Sequence, residues 1–262
     1  MIPRTYLAST HRRIIGMRVD ASTYADATAR VIASAQKPEP FWLCPAGVHT
    51  VVEAHRNRLM GRAMDTASLV TTDGMPLVWS LKWLGVKGAE RVYGPMLTER
   101  ILDAAAARGI PVGFYGASPD TLRQLLENCR RRWPGLNIAY SFSPPFRPPS
   151  PQEDDEIIQR VRASGARILF VGLGCPKQEL WAHDHYGKLG IPILAVGAAF
   201  DFIAGTKAQA PAWMQRHGLE WFFRLLAEPR RLWRRYLFSN SSFVLLLAAQ
   251  LTGFRRFDHS EN

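Results

Sequence analysis

Two side chains near the middle of the first half of the sequence could do acid–base or anion chemistry. Asp73 closes the stretch VTTDG, where an apolar run stops, and a carboxylate at a strand end can act as a general base in a ligand cleft. Asp-Gly is also a common turn pair, so a plain turn is an equally open reading. Arg91, in AERVYG, is either a surface arginine or an anion clamp whose planar fork suits phosphate.

A second candidate is the stretch FVGLGCPKQELW at residues 170–181. Gly172 and Gly174 end an apolar run, and Pro176 suits the first turn of a following helix. Backbone N–H groups at such a helix start attract anions. Lys177 would add a mobile charge, and Gln178 both a donor and an acceptor. The pattern is neither GxGxxG nor GxxxxGK[ST], so it predicts neither a dinucleotide fingerprint nor a P-loop, and a simple strand-to-helix turn remains an alternative.

The third candidate is a basic and aromatic segment near the end of the sequence. Between Arg216 and Arg256 the chain has eight arginines against Glu220 and Glu228, interspersed with tryptophan, phenylalanine and tyrosine. Helices of this composition suit phosphate groups or a membrane interface. A helix that packs on the body of the protein and solvates its charges is the alternative. Pro229 is expected to kink or split the helix.

Composition limits the classes of function. The 262 residues carry a formal net charge of +11, which favours anionic partners. Three cysteines and no CxxC argue against a disulfide framework and a structural zinc site, and no Asp-x-Asp occurs. We therefore predict no bound metal. The start of the sequence lacks a signal-peptide pattern and the longest late apolar run, FVLLLAA, is too short to span a bilayer, so we expect a cytoplasmic protein.

The elements that would position these residues alternate between apolar strands and helices. This pattern predicts an α/β fold: a Rossmann-like, mostly parallel sheet with helices on both faces. We predict a catalytic core over residues 1–210 and a helical appendage over 211–262. RIIGMRVD (13–20) is predicted as one strand, and GVHTVVEAHRNRLMGRAM as one helix. Ligands bind at the C-terminal ends of parallel strands, which adds the loops GFYGAS and GAAFDF, the latter with Asp201.

Five motifs together resemble one enzyme family. TTDGMPLVW, ERVYGPML, VGLGCPKQELW, GAAFDFIAGTKAQAPAWMQRHGLEW and RLLAEPRRLWRRYL occur in the order and at about the spacing of the WecG/TagA/CpsF glycosyltransferases (glycosyltransferase family 26). The resemblance runs from about Ile15 to Phe238. It implies a Rossmann-like core with a C-terminal helical appendage, and an inverting, metal-independent transferase without a cofactor.

The resemblance also implies substrates, partners and residue roles. The donor would be a UDP-sugar, and the acceptor a polyprenyl-diphosphate-linked sugar at the inner face of the bacterial membrane, in exopolysaccharide or cell-surface glycan synthesis. Asp73 would be the base, with Arg91 and Gln178 lining the active site. Arg224, Arg231 and Arg234 would reach the diphosphate. From the residues themselves we add Gly172, Gly174, Lys177, His49 and Asp201 as predicted substrate-binding positions.

One departure from the family pattern leaves the sugar open. Where the family often has a Thr-x-Asn segment, this chain reads LCPAGVHT, with Cys44 and Ala46 at those positions and His49 as a substitute polar group. Both a glucose and an N-acetylmannosamine donor are compatible, and a homo-oligomer is possible. A non-catalytic basic module for a membrane surface or nucleic acid is the alternative function, although no nucleic-acid-binding motif occurs. A nicotinamide-dependent oxidoreductase lacks its glycine fingerprint.

Overall fold

The computed structural model of the chain describes residues 10–257, apart from the side chains of Ala212, Arg231 and Arg235. The strands are β1 (His11–Ile14), β2 (Met17–Asp20), β3 (Phe41–Ala46), β4 (Leu69–Thr72), β5 (Val112–Gly116), β6 (Ile138–Phe142), β7 (Ile168–Gly172) and β8 (Pro192–Ala195). The helices are α1 (Tyr24–Gln36), α2 (Val48–Arg56), α3 (Arg58–Asp65), α4 (Met75–Trp83), α5 (Gly94–Ala107), α6 (Pro119–Arg132), α7 (Pro151–Ala163), α8 (Lys177–Leu189), α9 (Ala199–Ala204), α10 (Ala212–Arg216), α11 (Glu220–Ala227) and α12 (Pro229–Leu251).

Six of the strands form one sheet in the order β4-β3-β8-β7-β5-β6. The pairs β3–β8, β8–β7, β7–β5 and β5–β6 are parallel. The strands are nearly continuous apolar runs because helices flank the sheet and bury both faces; β5 and β7 place Phe114 and Phe170 in a stack with ring centroids 5.4 Å apart. The predicted α/β class with a mostly parallel sheet is therefore confirmed.

Two predicted elements differ from the structure. RIIGMRVD is not one strand, because β1 and β2 form an antiparallel hairpin in a sheet of their own. Ile15 and Gly16 turn the chain with φ angles of 52° and 86°, the positive values that a two-residue hairpin turn requires. The single helix predicted after β3 is two helices, α2 and α3. Asn57 separates them and caps α3, since its side chain accepts from the N–H groups of Leu59 and Met60.

The contacts among its residues divide the chain into two compact units. Unit 1 comprises residues 10–23, 45–93 and 209–257 of the described chain, and unit 2 comprises Tyr24–Cys44 and Gly94–Ala208. Unit 1 therefore combines the N-terminal hairpin, α2–α4, β4 and the C-terminal helices. The predicted boundary between a core of residues 1–210 and an appendage of 211–262 stays a prediction.

Within unit 1, α12 is anchored through its second half. Arg56 of α2 donates to the Ser242 hydroxyl at 2.7 Å. The Gln250 side chain accepts from the Ile15 N–H and donates to the Arg13 carbonyl, both at 2.7 Å. Leu232, Phe243 and Leu247 are buried. As Pro229 predicted, the helix is split: α11 ends at Ala227 and α12 begins at Pro229.

Within unit 2, the connections leave β5 and β7 in opposite directions. The chain passes from β5 through α6 to β6 on one side, and from β7 through α8 to β8 on the other. Right-handed crossovers then place α6 and α8 on opposite faces of the sheet. The gap between the C-terminal ends of β5 and β7 is therefore a topological switch point, the place where open α/β sheets bind ligands.

Candidate functional site

Asp73 and Arg91 are neighbours in unit 1. Asp73 directly follows β4, and its N–H donates to the carbonyl of Ala46 at 2.9 Å. The segment containing Arg91 runs beside β4, because the Val92 N–H donates to the Thr72 carbonyl at 2.8 Å. Arg91 Nε then donates to the backbone carbonyl oxygen of Asp73 at 2.6 Å. Two of the predicted site residues, 18 positions apart, are thus held together by hydrogen bonds to backbone carbonyl oxygens.

The C-terminal helices complete the surroundings of Arg91. Its Nη2 forms an ion pair with the carboxylate of Glu220 at the start of α11, and its Nη1 donates to Gln215 Oε1 of α10 at 3.4 Å. The guanidinium lies over the ring of Tyr93, 4.2 Å from its centroid. The side chains of Arg91 and Glu220 are only 15% and 14% exposed. The guanidinium therefore has a fixed orientation.

The charges of this group are nearly balanced. Burial by itself lowers the pKa of Arg91, but the nearby carboxylates of Asp73 and Glu220 outweigh it and the pKa is raised. Burial likewise opposes the charge of Arg224, and Tyr236, Glu220, Tyr93 and Asp73 together raise its pKa. Both guanidiniums thus stay cationic beside two carboxylates. We call Asp73, Arg91, Tyr93, Gln215, Glu220 and Arg224 the Arg91 cluster.

Tyr93 contributes a neutral hydroxyl to the Arg91 cluster. Burial, with the carboxylates of Glu220 and Asp73, raises the pKa of the phenol well above its ordinary value. The side chain can therefore stack under Arg91 and offer a hydrogen bond without adding negative charge. A carboxylate at a strand end beside two cations can accept a proton from a hydroxyl group while the cations hold an anion.

The remaining predicted residues of unit 1 are placed differently. Arg234 is exposed, with its guanidinium over the Trp233 ring at 5.2 Å. His49 is half-buried, and its Nδ1 lies 3.3 Å from the Ser239 hydroxyl of α12. The side chain of Arg231 lies outside the described residues. Substrate contacts by these three side chains stay predictions.

The loop GLGCPKQE lies in unit 2 at the switch point between β5 and β7. A side chain at Gly116 would lie 2.5 Å from the backbone of Gly172, and one at Gly172 would lie 2.7 Å from the ring of Phe200. The Ala117 N–H donates to the Gly172 carbonyl at 2.9 Å. Gly174 has a φ of 80° with open space around it. Close packing explains Gly172, whereas backbone conformation explains Gly174.

Gln178 is the centre of a buried network in unit 2. It is only 6% exposed. Its Oε1 accepts from the Gly174 N–H at 3.1 Å, and its Nε2 donates to the Ala195 carbonyl at 3.1 Å and to Glu179 Oε1 at 3.0 Å. Both amide hydrogens are used inside the protein, while an amide oxygen can accept two hydrogen bonds. A ligand contact by Gln178 therefore stays a prediction, and the oxygen is the atom that could make it.

The other predicted residues of unit 2 surround this network less closely. Lys177, the first residue of α8, is exposed. Asp201 on α9 organises the following loop, since its Oδ2 pairs with Lys207 Nζ at 3.1 Å and its backbone carbonyl accepts from Thr206 Oγ1 at 3.1 Å. Cys44 is fully buried with its thiol 3.9 Å from Glu179 Oε1. In unit 1, Ala46 is also fully buried.

Sequence reasoning missed several residues of these groups. Glu220 and Tyr93 belong to the Arg91 cluster, and Glu179 is a buried carboxylate beside Gln178. A signal existed for Glu220, because one of only two acids in a segment of eight arginines invites an ion pair. Between residues 10 and 257, no three His, Cys, Asp or Glu side chains are arranged to hold a metal ion.

Comparison with known proteins finds a matching family and similar individual proteins. Residues 12–257 match the family described as Glycosyl transferase WecG/TagA/CpsF family. One similar protein is N-acetylglucosaminyldiphosphoundecaprenol N-acetyl-beta-D-mannosaminyltransferase of Bacillus spizizenii. The two chains are 33% identical over 187 residues, which cover 71% of this chain and 70% of the relative. The match includes both Asp73 and the loop GLGCPKQE within the family's span.

Proposed function

We propose that this chain, which belongs to the glycosyl transferase WecG/TagA/CpsF family, transfers a hexosyl group from a UDP-sugar to a polyprenyl-diphosphate-linked sugar. The observation that carries the proposal is the position of Asp73, at the end of β4 beside Arg91. The name of the Bacillus spizizenii relative supports the same class of acceptor, because it describes a sugar linked through diphosphate to undecaprenol.

The reaction that we propose is a single displacement with inversion. The acceptor hydroxyl oxygen attacks the anomeric carbon of the donor, and its proton passes to the carboxylate of Asp73. A new carbon–oxygen bond forms as the bond to the diphosphate breaks, and the electron pair leaves on the terminal phosphate oxygen of UDP. Tyr93 and Arg91 do not take part in this proton transfer, because the phenol and the guanidinium hold their own protons.

The second requirement of this chemistry is that the negative charge of the diphosphate is stabilised. We assign this role to the two cations of the Arg91 cluster, Arg91 and Arg224, with Arg231 and Arg234 of α12 as further contributors. A fixed guanidinium needs no reorganisation to meet an anion. The family resemblance assigns donor contacts to the loop GLGCPKQE and Gln178 in unit 2. Since guanidiniums meet the charge, we expect turnover that resists chelators and needs no cofactor.

The donor sugar is the finer part of the proposal. The name of the relative favours N-acetylmannosamine as the transferred sugar. Cys44 and Ala46, at positions where the family often has threonine and asparagine, favour a different donor such as UDP-glucose. Cys44 and Ala46 carry neither a hydroxyl nor an amide, so they lack the polar groups that threonine and asparagine would offer there, and both are fully buried. We place N-acetylmannosamine first, because the relative is matched over most of its length.

A lipid-linked acceptor agrees with the surface of unit 1. Exposed large apolar side chains of the described chain include Trp79 and Trp83 of α4, Trp213, Trp221 and Phe222 of α10 and α11, and Trp233, Leu237 and Phe238 of α12. None of the helices between residues 10 and 257 has the length and apolar character to cross a bilayer. We therefore propose that the protein docks peripherally on the inner face of the cell membrane, where tryptophan and arginine suit the interface.

The experiment that tests the function uses the full chain and a panel of radiolabelled UDP-sugars. A short-chain prenyl-diphosphate N-acetylglucosamine serves as acceptor, and both labelled lipid and released UDP are measured with and without EDTA. Stoichiometric transfer with inverted anomeric configuration is the expected result. No transfer from any donor, together with salt-dependent binding to DNA, would favour the non-catalytic basic module instead.

A further inference from the structure

Glu220 is one of two acids in the arginine-rich segment from Arg216 to Arg256. It begins α11, and its carboxylate is 14% exposed. A carboxylate so far removed from water loses much of its hydration and needs a partner that compensates for it. The position at the first turn of a helix supplies part of that compensation, through the N-terminal end of the helix dipole.

The partner is Arg91, which lies 129 positions earlier in the sequence. The many arginines of the C-terminal helices are closer along the chain, yet Glu220 forms an ion pair with Arg91, in the segment that runs beside β4. The pair therefore joins α11 to the end of β4 within unit 1. It is a direct charged contact between a C-terminal helix and the predicted active site.

The geometry fixes which N–H groups of Arg91 remain for a ligand. A guanidinium has five N–H groups in a planar fork. One donates to the Asp73 carbonyl, one on Nη1 to Gln215, and one on Nη2 to Glu220, while one face lies on Tyr93. The two remaining N–H groups point in directions set by these contacts. Of the three hydrogen-bond acceptors only the Glu220 carboxylate is charged, so it contributes most to the orientation of the guanidinium.

We propose that Glu220 is a positioning residue, which acts through Arg91 to orient two N–H groups toward the diphosphate of the substrate. The inference rests on the proposed function, since it names the contact by which the C-terminal helices prepare the anion site. The arginines of α11 and α12 add charge to the site. Glu220 instead fixes the orientation of the Arg91 guanidinium, although its negative charge by itself disfavours an anionic ligand.

Two opposite effects on anion binding separate this role from simple electrostatics. Removing the negative charge of Glu220 raises the local positive potential, which by itself strengthens the binding of an anion. Loss of the positioning contact releases the guanidinium, which weakens that binding. The sign of the change in affinity therefore decides between the two, and a merely structural role would move only the melting temperature.

The experiment measures inorganic pyrophosphate binding by calorimetry on the full-length protein, with Glu220→Gln, Glu220→Asp and the control Glu228→Gln. Glu228 is at the opposite end of α11, so its variant removes the same charge from the same helix. We expect Glu220→Gln to weaken pyrophosphate binding about tenfold, because a neutral amide oxygen holds the Arg91 guanidinium less strongly than a carboxylate does. Glu220→Asp should recover part of the loss, and Glu228→Gln should bind as tightly as the parent protein or tighter.

A double-mutant cycle completes the test. In an Arg91→Gln background, Glu220→Gln should change pyrophosphate affinity by less than about twofold, because the contact has already been removed. Equal or tighter pyrophosphate binding by Glu220→Gln alone overturns the proposal, as does an undiminished loss in the Arg91→Gln background. Because pyrophosphate binding needs no turnover, a failure of sugar transfer in the parent protein is distinguishable from a failure of this inference.

Discussion

Arg91 Nε donates a hydrogen bond to the backbone carbonyl oxygen of Asp73 at 2.6 Å. The proposed anion clamp is therefore tied to the main chain of the proposed base, and a shift of one moves the other. The ion pair with Glu220 extends this connection to α11. A proton acceptor and an anion-binding group with a fixed separation suit a reaction in which a hydroxyl loses its proton while a diphosphate leaves.

The Asp73→Asn variant tests the base. Asparagine preserves the size and the backbone hydrogen bonds of Asp73 but cannot take a proton, so transfer should fall about 10²- to 10⁴-fold. UDP affinity and the melting temperature should stay close to those of the parent protein. The measurement is initial-rate transfer to the lipid acceptor, with titration calorimetry for UDP.

Glu90→Gln is the matched control for Asp73→Asn, because Glu90 is an exposed acid in the same unit. It should transfer sugar at the parental rate. Near-normal transfer by Asp73→Asn would show that another group takes the proton.

Arg91→Lys tests whether the planar array of guanidinium N–H groups is needed, or whether a positive charge alone is enough. Lysine keeps a positive charge but cannot reach the Asp73 carbonyl, Glu220 and Gln215 in the planar arrangement of a guanidinium. Loss of one charge-assisted hydrogen bond, about 1.5–3 kcal/mol, should lower kcat/KM about 10- to 100-fold. Full activity in steady-state kinetics of Arg91→Lys would mean that charge alone suffices at this position.

The sequence was sufficient for those features that depend on local patterns. Apolar runs such as ILFVG and LVTT are buried strands, and Pro229 splits the C-terminal helix, because burial and proline geometry act within a few residues. Asp73 and Arg91 could be named for the same reason, since each follows or flanks such a run. Their contact depends on the segment after α4 returning beside β4, which no local pattern specifies.

Long-range partners explain what the sequence did not show. Ile15 occupies a positive φ in the β1–β2 turn, where its N–H donates to Gln250 of α12, so a strand-like run becomes a hairpin. The pairing of Glu220 with Arg91 spans 129 positions. The buried Gln178 amide donates to the carbonyl of Ala195 at the end of β8, a partner that only the folded sheet supplies.

Gln178→Glu tests the buried network of unit 2 through its pH dependence. The new carboxyl group faces the Glu179 carboxylate and the Ala195 carbonyl, both of which disfavour a negative charge, and burial adds to the effect. The pKa of the introduced group should therefore be raised in the folded state. The variant should lose at least ~2 kcal/mol of stability at neutral pH.

The sign of this pH dependence follows from linkage. A carboxyl group whose pKa is higher in the folded than in the unfolded state destabilises the fold at high pH, and the deficit shrinks as pH falls through the folded pKa. Urea unfolding of Gln178→Glu and the parent protein between pH 5 and pH 8 measures it. Gln159→Glu, at an exposed position on α7, is the control and should show no such trend; a pH-independent deficit in Gln178→Glu would contradict the network.

The proposed membrane surface is best tested by point substitutions on α12. Truncation from about residue 211 should weaken membrane association and activity together, but it also removes the buried side chains Leu232, Phe243 and Leu247 from unit 1.

Trp233 and Leu237 of α12 are 47% and 55% exposed one helical turn apart, so their replacement spares the buried core of unit 1. Trp233→Ser with Leu237→Ser should lower binding to anionic liposomes about tenfold and leave the melting temperature unchanged, as the apolar area of two side chains predicts. Phe146→Ser is the control, because Phe146 is 90% exposed but belongs to unit 2. Equal liposome sedimentation of the α12 double variant and the parent protein would exclude this face of α12 from membrane contact.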